Sequence, residues 1–275
     1  MTDASEAGLG LAEGVVRGTD EAAERRGRRA RVALHASRLL LLLIVLGAWQ
    51  YFGPRVGEIV ASSPYQVFQA LVALARSGAL VRDLATTLEE VVLGYLLGSG
   101  AGVLLGALLA SSEFLAELLD PFIIGLYGIP KIALGPLLVV WFGINLAPKV
   151  ALAALMTFFL VFFATYQGMR GVDRDTINAV RLMGASPLQL RRHVIFPGAR
   201  ASIFLGLKLG VPEALVGAIV GEFVSSSRGI GFAIQYATAQ LDTAGVFAGL
   251  AVLTVLSLTL NALVNRAARK GGASR

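Results

Sequence analysis

The sequence predicts an all-α integral membrane protein with six transmembrane helices, and three observations predict it. Of the 275 residues, 56% are apolar and only 15% charged, with a mean hydropathy of +0.72. That is too hydrophobic for a water-soluble domain of this size. Six stretches, 33–52, 87–110, 118–142, 148–168, 201–224 and 244–264, reach the about 20 mostly apolar residues that a helix needs to cross the hydrocarbon layer. The cations are also unevenly shared. With the N-terminus inside, seventeen Lys and Arg fall on the inner side and five on the outer, while Lys131 and Lys208 lie within spans. The positive-inside rule then places both termini and the 170–200 connection in the cytoplasm.

Residues 1–32 are polar, rich in Gly, Ala and charge, and read as a disordered cytoplasmic tail. The RRGRRAR run at 25–31 directly precedes an apolar stretch. It serves as the charge that retains this end inside rather than as a nucleic-acid patch. The first span is a signal anchor, since a long tail precedes it and no small-residue cleavage pattern follows. Residues 33–85 form that span and an outer connection, with a short helix near 65–76 after Ser63-Pro64.

A core of five further spans occupies 86–266. The second span opens at Thr86-Thr87 as caps, with Glu89-Glu90 in its first turn. Gly94, Gly98, Gly102 and Gly106 repeat every fourth residue and line one helix face for close backbone approach, by preference within the chain rather than across a dimer seam. The third span is interrupted by Pro121, Gly125, Gly128, Pro130, Gly135 and Pro136 and carries Lys131. Irregular backbone at membrane depth belongs inside protein or beside water, which suggests a translocation path; snorkelling to an interface is the alternative for Lys131. The fifth span holds Lys208 and Glu213 around Gly210 and Pro212, paired with each other, with a neighbouring helix or with a solute. Glu222 follows, then SSSRGIG as a flexible outer turn. The sixth span is uniformly apolar and structural, and 267–275 form a cytoplasmic tail.

The long polar interruption of the second half runs from 173 to 197. Asp175 is placed to cap a first helix and Gly184 to end it in the left-handed conformation. Ser186, Pro187 and Gln189 then give an N-cap, a first-position proline and a capping box, and Pro197 stops the second helix. Ile177, Val180 and Met183 form an apolar stripe on a segment that also carries Arg174 and Arg181. Outside the bilayer such a stripe suits a groove in another protein, or else lies against its own membrane domain.

This stretch resembles the cytoplasmic loop of ABC importer permeases, whose signature is Glu-Ala-Ala, three residues, Gly, nine residues, Ile, one residue, Leu-Pro. Asn178-Ala179-Val180, Gly184, Val194 and Phe196-Pro197 occupy those positions, with the leading Glu replaced. IPKIALGPLLVVWFGI at 129–144 and VGEFVSSSRGIGFAI at 220–234 are similar to the nitrate/sulfonate/taurine branch, so the likeness covers about 86–266. The resemblance implies a type I importer fold and a homodimer on two ATPase subunits, which bind ATP and Mg. It further implies a soluble binding protein that delivers a sulfonate, taurine, nitrate or similar small anion, with a pyrimidine or aromatic compound as the alternative. Asp175, Ile177, Asn178, Ala179, Val180, Arg181, Met183, Gly184, Ala185, Ser186, Pro187, Phe196 and Pro197 would couple to the ATPase. Lys131, Trp141, Phe142, Lys208 and Glu213 would line the path.

Nothing in the sequence supplies an energy source or a reaction centre. No G-x-x-x-x-G-K-[ST] loop is present, so the chain is not itself an ATPase. Its two histidines, His35 and His193, lie far apart and cysteine is absent, which leaves no metal site and no catalytic constellation. An ion-driven carrier is the rival reading, but the two halves do not align as a repeat.

Overall fold

The computed structural model describes residues 33–57 and 60–272, and the tail expected at 1–32 lies outside them. Eleven α-helices follow in order: α1 (Ala33–Val56), α2 (Pro64–Arg76), α3 (Ala79–Ala110), α4 (Glu113–Gly128), α5 (Gly135–Phe142), α6 (Leu146–Arg170), α7 (Arg174–Leu182), α8 (Pro187–Leu190), α9 (Phe196–Ser225), α10 (Ile230–Ala239) and α11 (Thr243–Gly272). A 3₁₀ turn, Lys131–Leu134, precedes α5, and a π turn, Arg191–Ile195, precedes α9. No strand occurs among the described residues.

Among the described residues five helices are long and apolar enough to cross a membrane, and a sixth span is formed if the bent pair Pro121–Gly128 and Lys131–Phe142 counts as one. The chain falls into two compact units, one ending at Tyr65 and the other beginning at Gln66. In the first, α1 exposes an apolar surface from Leu39 to Val45.

In the second unit α6 is the central helix, packed between α3 and α9. Small residues make this possible. A Cβ on Gly94 would stand 2.4 Å from Ala153 Cβ, and one on Gly98 would stand 2.3 Å from the Ala154 carbonyl oxygen. The α9 side mirrors this, since a Cβ on Gly206 would meet Ala164 Cβ at 2.4 Å and one on Gly217 would meet Ala153 Cα at 2.6 Å. The three backbones therefore approach without side chains between them, and dispersion contact replaces a hydrophobic drive that is absent in lipid. The glycines at 94, 98, 102 and 106 all face α6 of the same chain.

Three boundaries differ from the sequence expectation. α3 begins at Ala79, after Gly78 at φ 71°, so Thr86, Thr87, Glu89 and Glu90 lie inside the helix rather than at its start. Pro121 and Gly125 do not break α4; the break comes at 129–130, where Ile129 is extended and Pro130 follows. Pro197 does not stop a helix either. Helical backbone runs unbroken from Pro187 to Ser225, because the π turn has already displaced the hydrogen-bond ladder where the missing N–H of Pro197 would fall.

Candidate functional site

The loop between α6 and α9 is built from local signals. Asp173 caps α7, accepting from the amides of Asp175 at 3.2 Å and Thr176 at 3.0 Å and from the Thr176 hydroxyl at 2.7 Å. Asp175, expected as the cap, sits in the first turn instead. The choice follows from reach, because only the residue just outside the helix can turn its carboxylate back onto the free amides. These three donors, the Thr176 hydroxyl first, hold the Asp173 carboxyl below the usual carboxylate range.

α7 ends at Gly184, φ +86°, in a Schellman arrangement. The Gly184 amide donates to Arg181 O at 3.0 Å and that of Ala185 to Val180 O at 3.4 Å. Ser186 and Gln189 then close a reciprocal capping box, with Ser186 N to Gln189 Oε1 at 2.8 Å and Gln189 N to Ser186 Oγ at 3.4 Å. Of the stripe on α7, Ile177 and Val180 are half-buried. Leu182, Met183 and Leu188 point outward at 90%, 85% and 73% exposure, an apolar ridge at the tip of a polar loop. Asn178, Ala179 and Arg181 are also exposed, Ala185 is half-buried and Pro187 is exposed. Phe196 is 44% exposed and Pro197 half-buried. Arg191 anchors the loop by donating to Ser111 O at the end of α3, 3.1 Å away.

The residues expected along a path lie on three separate elements of this chain. Lys131, in the break between α4 and α5, sits over the Tyr127 ring at 4.5 Å and the Phe159 ring at 5.2 Å. Trp141 (66% exposed) and Phe142 (47%) face outward on α5. Lys208 and Glu213 are half-buried on α9 and form no salt bridge with each other. Around Pro212, Tyr95 donates to Leu207 O at 3.0 Å and Thr157 to Gly210 O at 3.3 Å, so neighbouring helices supply hydroxyls to the turn before the proline.

At the end of the bundle opposite the loop lies a buried polar cluster that sequence reasoning missed. Lys149 Nζ is 3.0 Å from Glu90 Oε1 and donates to Ser226 Oγ at 3.0 Å. Glu222 accepts the Thr87 hydroxyl and the amides of Gly231 and Phe232, while Thr87 accepts the amide of Ile230. The 226–229 turn, expected to be flexible, is thereby pinned, with the Gly229 amide also donating to Asp83. Lys149, one of the five cations counted on the outer side, lies in the first turn of α6 with its side chain buried. The one available signal was that Glu90 and Glu222 both fall in strongly apolar text, where a carboxylate requires a partner.

Comparison with known proteins bears on what this assembly is for. Residues 98–270 match the family described as binding-protein-dependent transport system inner membrane component. A permease of Bacillus subtilis (strain 168) named for aliphatic sulfonates transport, SsuC, is 33% identical over 84% of this chain and 85% of its own length. The formylaminopyrimidine transport permease ThiX of Halalkalibacterium halodurans is 31% identical over 84% of this chain and 92% of its own. Among solved structures, an inward-facing MetNI methionine ABC transporter chain superposes with a TM-score of 0.62 at 21% identity, covering 70% of this chain and 95% of that one.

Proposed function

The chain belongs to the inner-membrane components of binding-protein-dependent transport systems, and on that premise we propose that it is the permease subunit that lines the membrane path of an ATP-driven importer. The observation that carries the coupling part is the exposed apolar ridge of Leu182, Met183 and Leu188 at the tip of the capped α7–α8 loop. A ridge so exposed on a rigid, doubly capped corner has the form of a helix offered to a groove. Two ATPase subunits, carrying ATP and Mg, dock there, one on each copy of a homodimer. Both termini and this loop face the cytoplasm, and a soluble binding protein delivers solute to the opposite side.

ATP-driven closure of the ATPases pushes on α7 and α8. Because helical backbone is unbroken from Pro187 to Ser225, displacement at the loop is carried directly into α9. The inward-open state gives way to an outward-open one and the solute enters. The sulfonate-named relative supports a sulfonate, taurine, nitrate or similar small anion as cargo. The formylaminopyrimidine-named relative supports an uncharged pyrimidine or aromatic solute as the second reading. Uptake assayed in proteoliposomes with the cognate binding protein and candidate solutes decides between them.

A further inference from the structure

On α9 and the π turn before it, every fourth residue is alternately cationic and aromatic: Arg192, Phe196, Arg200, Phe204, Lys208. Residues at that spacing form one inclined row on a helix surface. Two grooves run along the row. One of about 330 Å³ holds Arg192, Phe196, Arg200 and Phe204, and the next, of about 420 Å³, holds Phe204, Lys208 and Tyr95. They share Phe204 and Leu207, so they meet end to end, and no carboxylate lines either. Among the described residues, none of the three cations forms a salt bridge.

The depth of Lys208 decides what the row faces. It lies seven residues inside the 201–224 span, about 10 Å along the axis from the inner edge of a hydrocarbon layer about 30 Å thick. An unpaired ammonium at that depth is costly against lipid and belongs beside water inside the assembly. Two arginines at the loop end alone would suit a lipid phosphate. A third cation about 10 Å inside the layer, in a groove that shares Phe204 and Leu207 with theirs, suits a solute that passes along the row.

We infer that the Arg192–Lys208 row is the loop-side half of the translocation path and makes the path itself selective for anions. The cations supply the attractive potential, and the intervening Phe rings cover the organic part of the solute while keeping each anion contact local. This rests on the permease reading and adds to it a selectivity located in the membrane as well as in the delivery protein.

Because the chain has no cysteine, Phe204→Cys introduces a single thiol into it. The variant is co-expressed with its ATPase subunits in membrane vesicles. It is treated with the anionic reagent sulfonatoethyl methanethiosulfonate or the cationic trimethylammonioethyl analogue, each rate divided by its rate with 2-mercaptoethanol. The expected result is reaction with both and a lead of at least about tenfold for the anion. That lead collapses towards parity when Arg200→Gln and Lys208→Gln are added. Ala201→Cys, in the same groove, serves where Phe204→Cys fails to assemble. Equal normalised rates with the row intact overturn the inference. So does a thiol that ignores both reagents and takes only a lipid-soluble maleimide, which assigns the cations to lipid phosphate. Co-purification of the ATPase subunits is scored in the same preparations. Their absence with the anion's lead intact removes the importer reading and leaves the cationic aqueous groove standing.

Discussion

Glu222, near the end of α9, accepts the hydroxyl of Thr87 on α3 at 2.6 Å with both side chains fully enclosed. The same carboxylate accepts the amides of Gly231 and Phe232, so one side chain joins two spans to the start of α10. Removing it strands three donors, of which those of Thr87 and Gly231 are buried and each cost about 1–3 kcal/mol when left unsatisfied. Glu222→Ala therefore lowers the melting temperature of the solubilised protein by several degrees or prevents its accumulation. Glu89→Ala, exposed on α3, leaves the melting temperature unchanged. Equal behaviour of the two variants would mean that Glu222 does not hold the cluster.

The glycine seam makes a sharper contrast within three residues. Gly98 has the Ala154 carbonyl oxygen 2.3 Å from where a Cβ would stand, whereas Gly100 has nothing within 4 Å. Gly98→Val forces α3 away from α6 and should yield aggregated protein in detergent. Gly100→Ala should be neutral or slightly stabilising, by up to about 1 kcal/mol. Size-exclusion profiles of the two report the difference.

Gly184 is constrained by its backbone alone, since φ is +86° and the space around it is open. A β-branched residue at φ > 0 is disfavoured, whereas Asn tolerates it. Gly184→Val should uncouple transport, with uptake lost while the solute-stimulated ATPase response disappears, and Gly184→Asn should retain part of both. Normal uptake and stimulation in the valine variant would count against the coupling role of the corner.

The Asp173 cap has a defined pH window. Its carboxyl is held below the usual range, so the cap's contribution is fully present above the ordinary carboxylate pKa and is lost only as pH falls through the lower folded value. Coupling through α7 should show no titration from this group between neutral pH and the carboxylate range. Asp173→Ala should fray α7 at every pH in that window, seen as faster amide exchange at Asp175 and Thr176. Protection unchanged in that variant would refute the cap.

What could be read from the sequence was what depends on near neighbours. The corner at Gly184 and the Ser186–Gln189 box involve residues within a few positions of each other, so spacing alone located them. The start of α3 is not where the sequence suggests it, because Thr86-Thr87 carry a cap-like signal that Gly78, eight residues before Thr86, makes irrelevant. Asp173 and Asp175 are equivalent as residue types, and only the chain direction into α7 distinguishes them. Glu90 and Lys149 stand fifty-nine positions apart, and their ion pair exists only because glycines bring α3 and α6 together. Pro197 reads as a helix stop in the sequence because the π turn before it has no sequence signal of its own.

The most direct test of the central claim is native mass spectrometry of the detergent-solubilised complex from cells co-expressing the chain with its ATPase partner. Two copies of this chain with two ATPase subunits are expected. The same preparation from a Leu182→Glu, Met183→Glu double variant should contain the permease without the ATPase, because charge replaces the apolar ridge. An assembly of this chain alone in the unaltered protein, or undiminished ATPase in the double variant, would contradict the account.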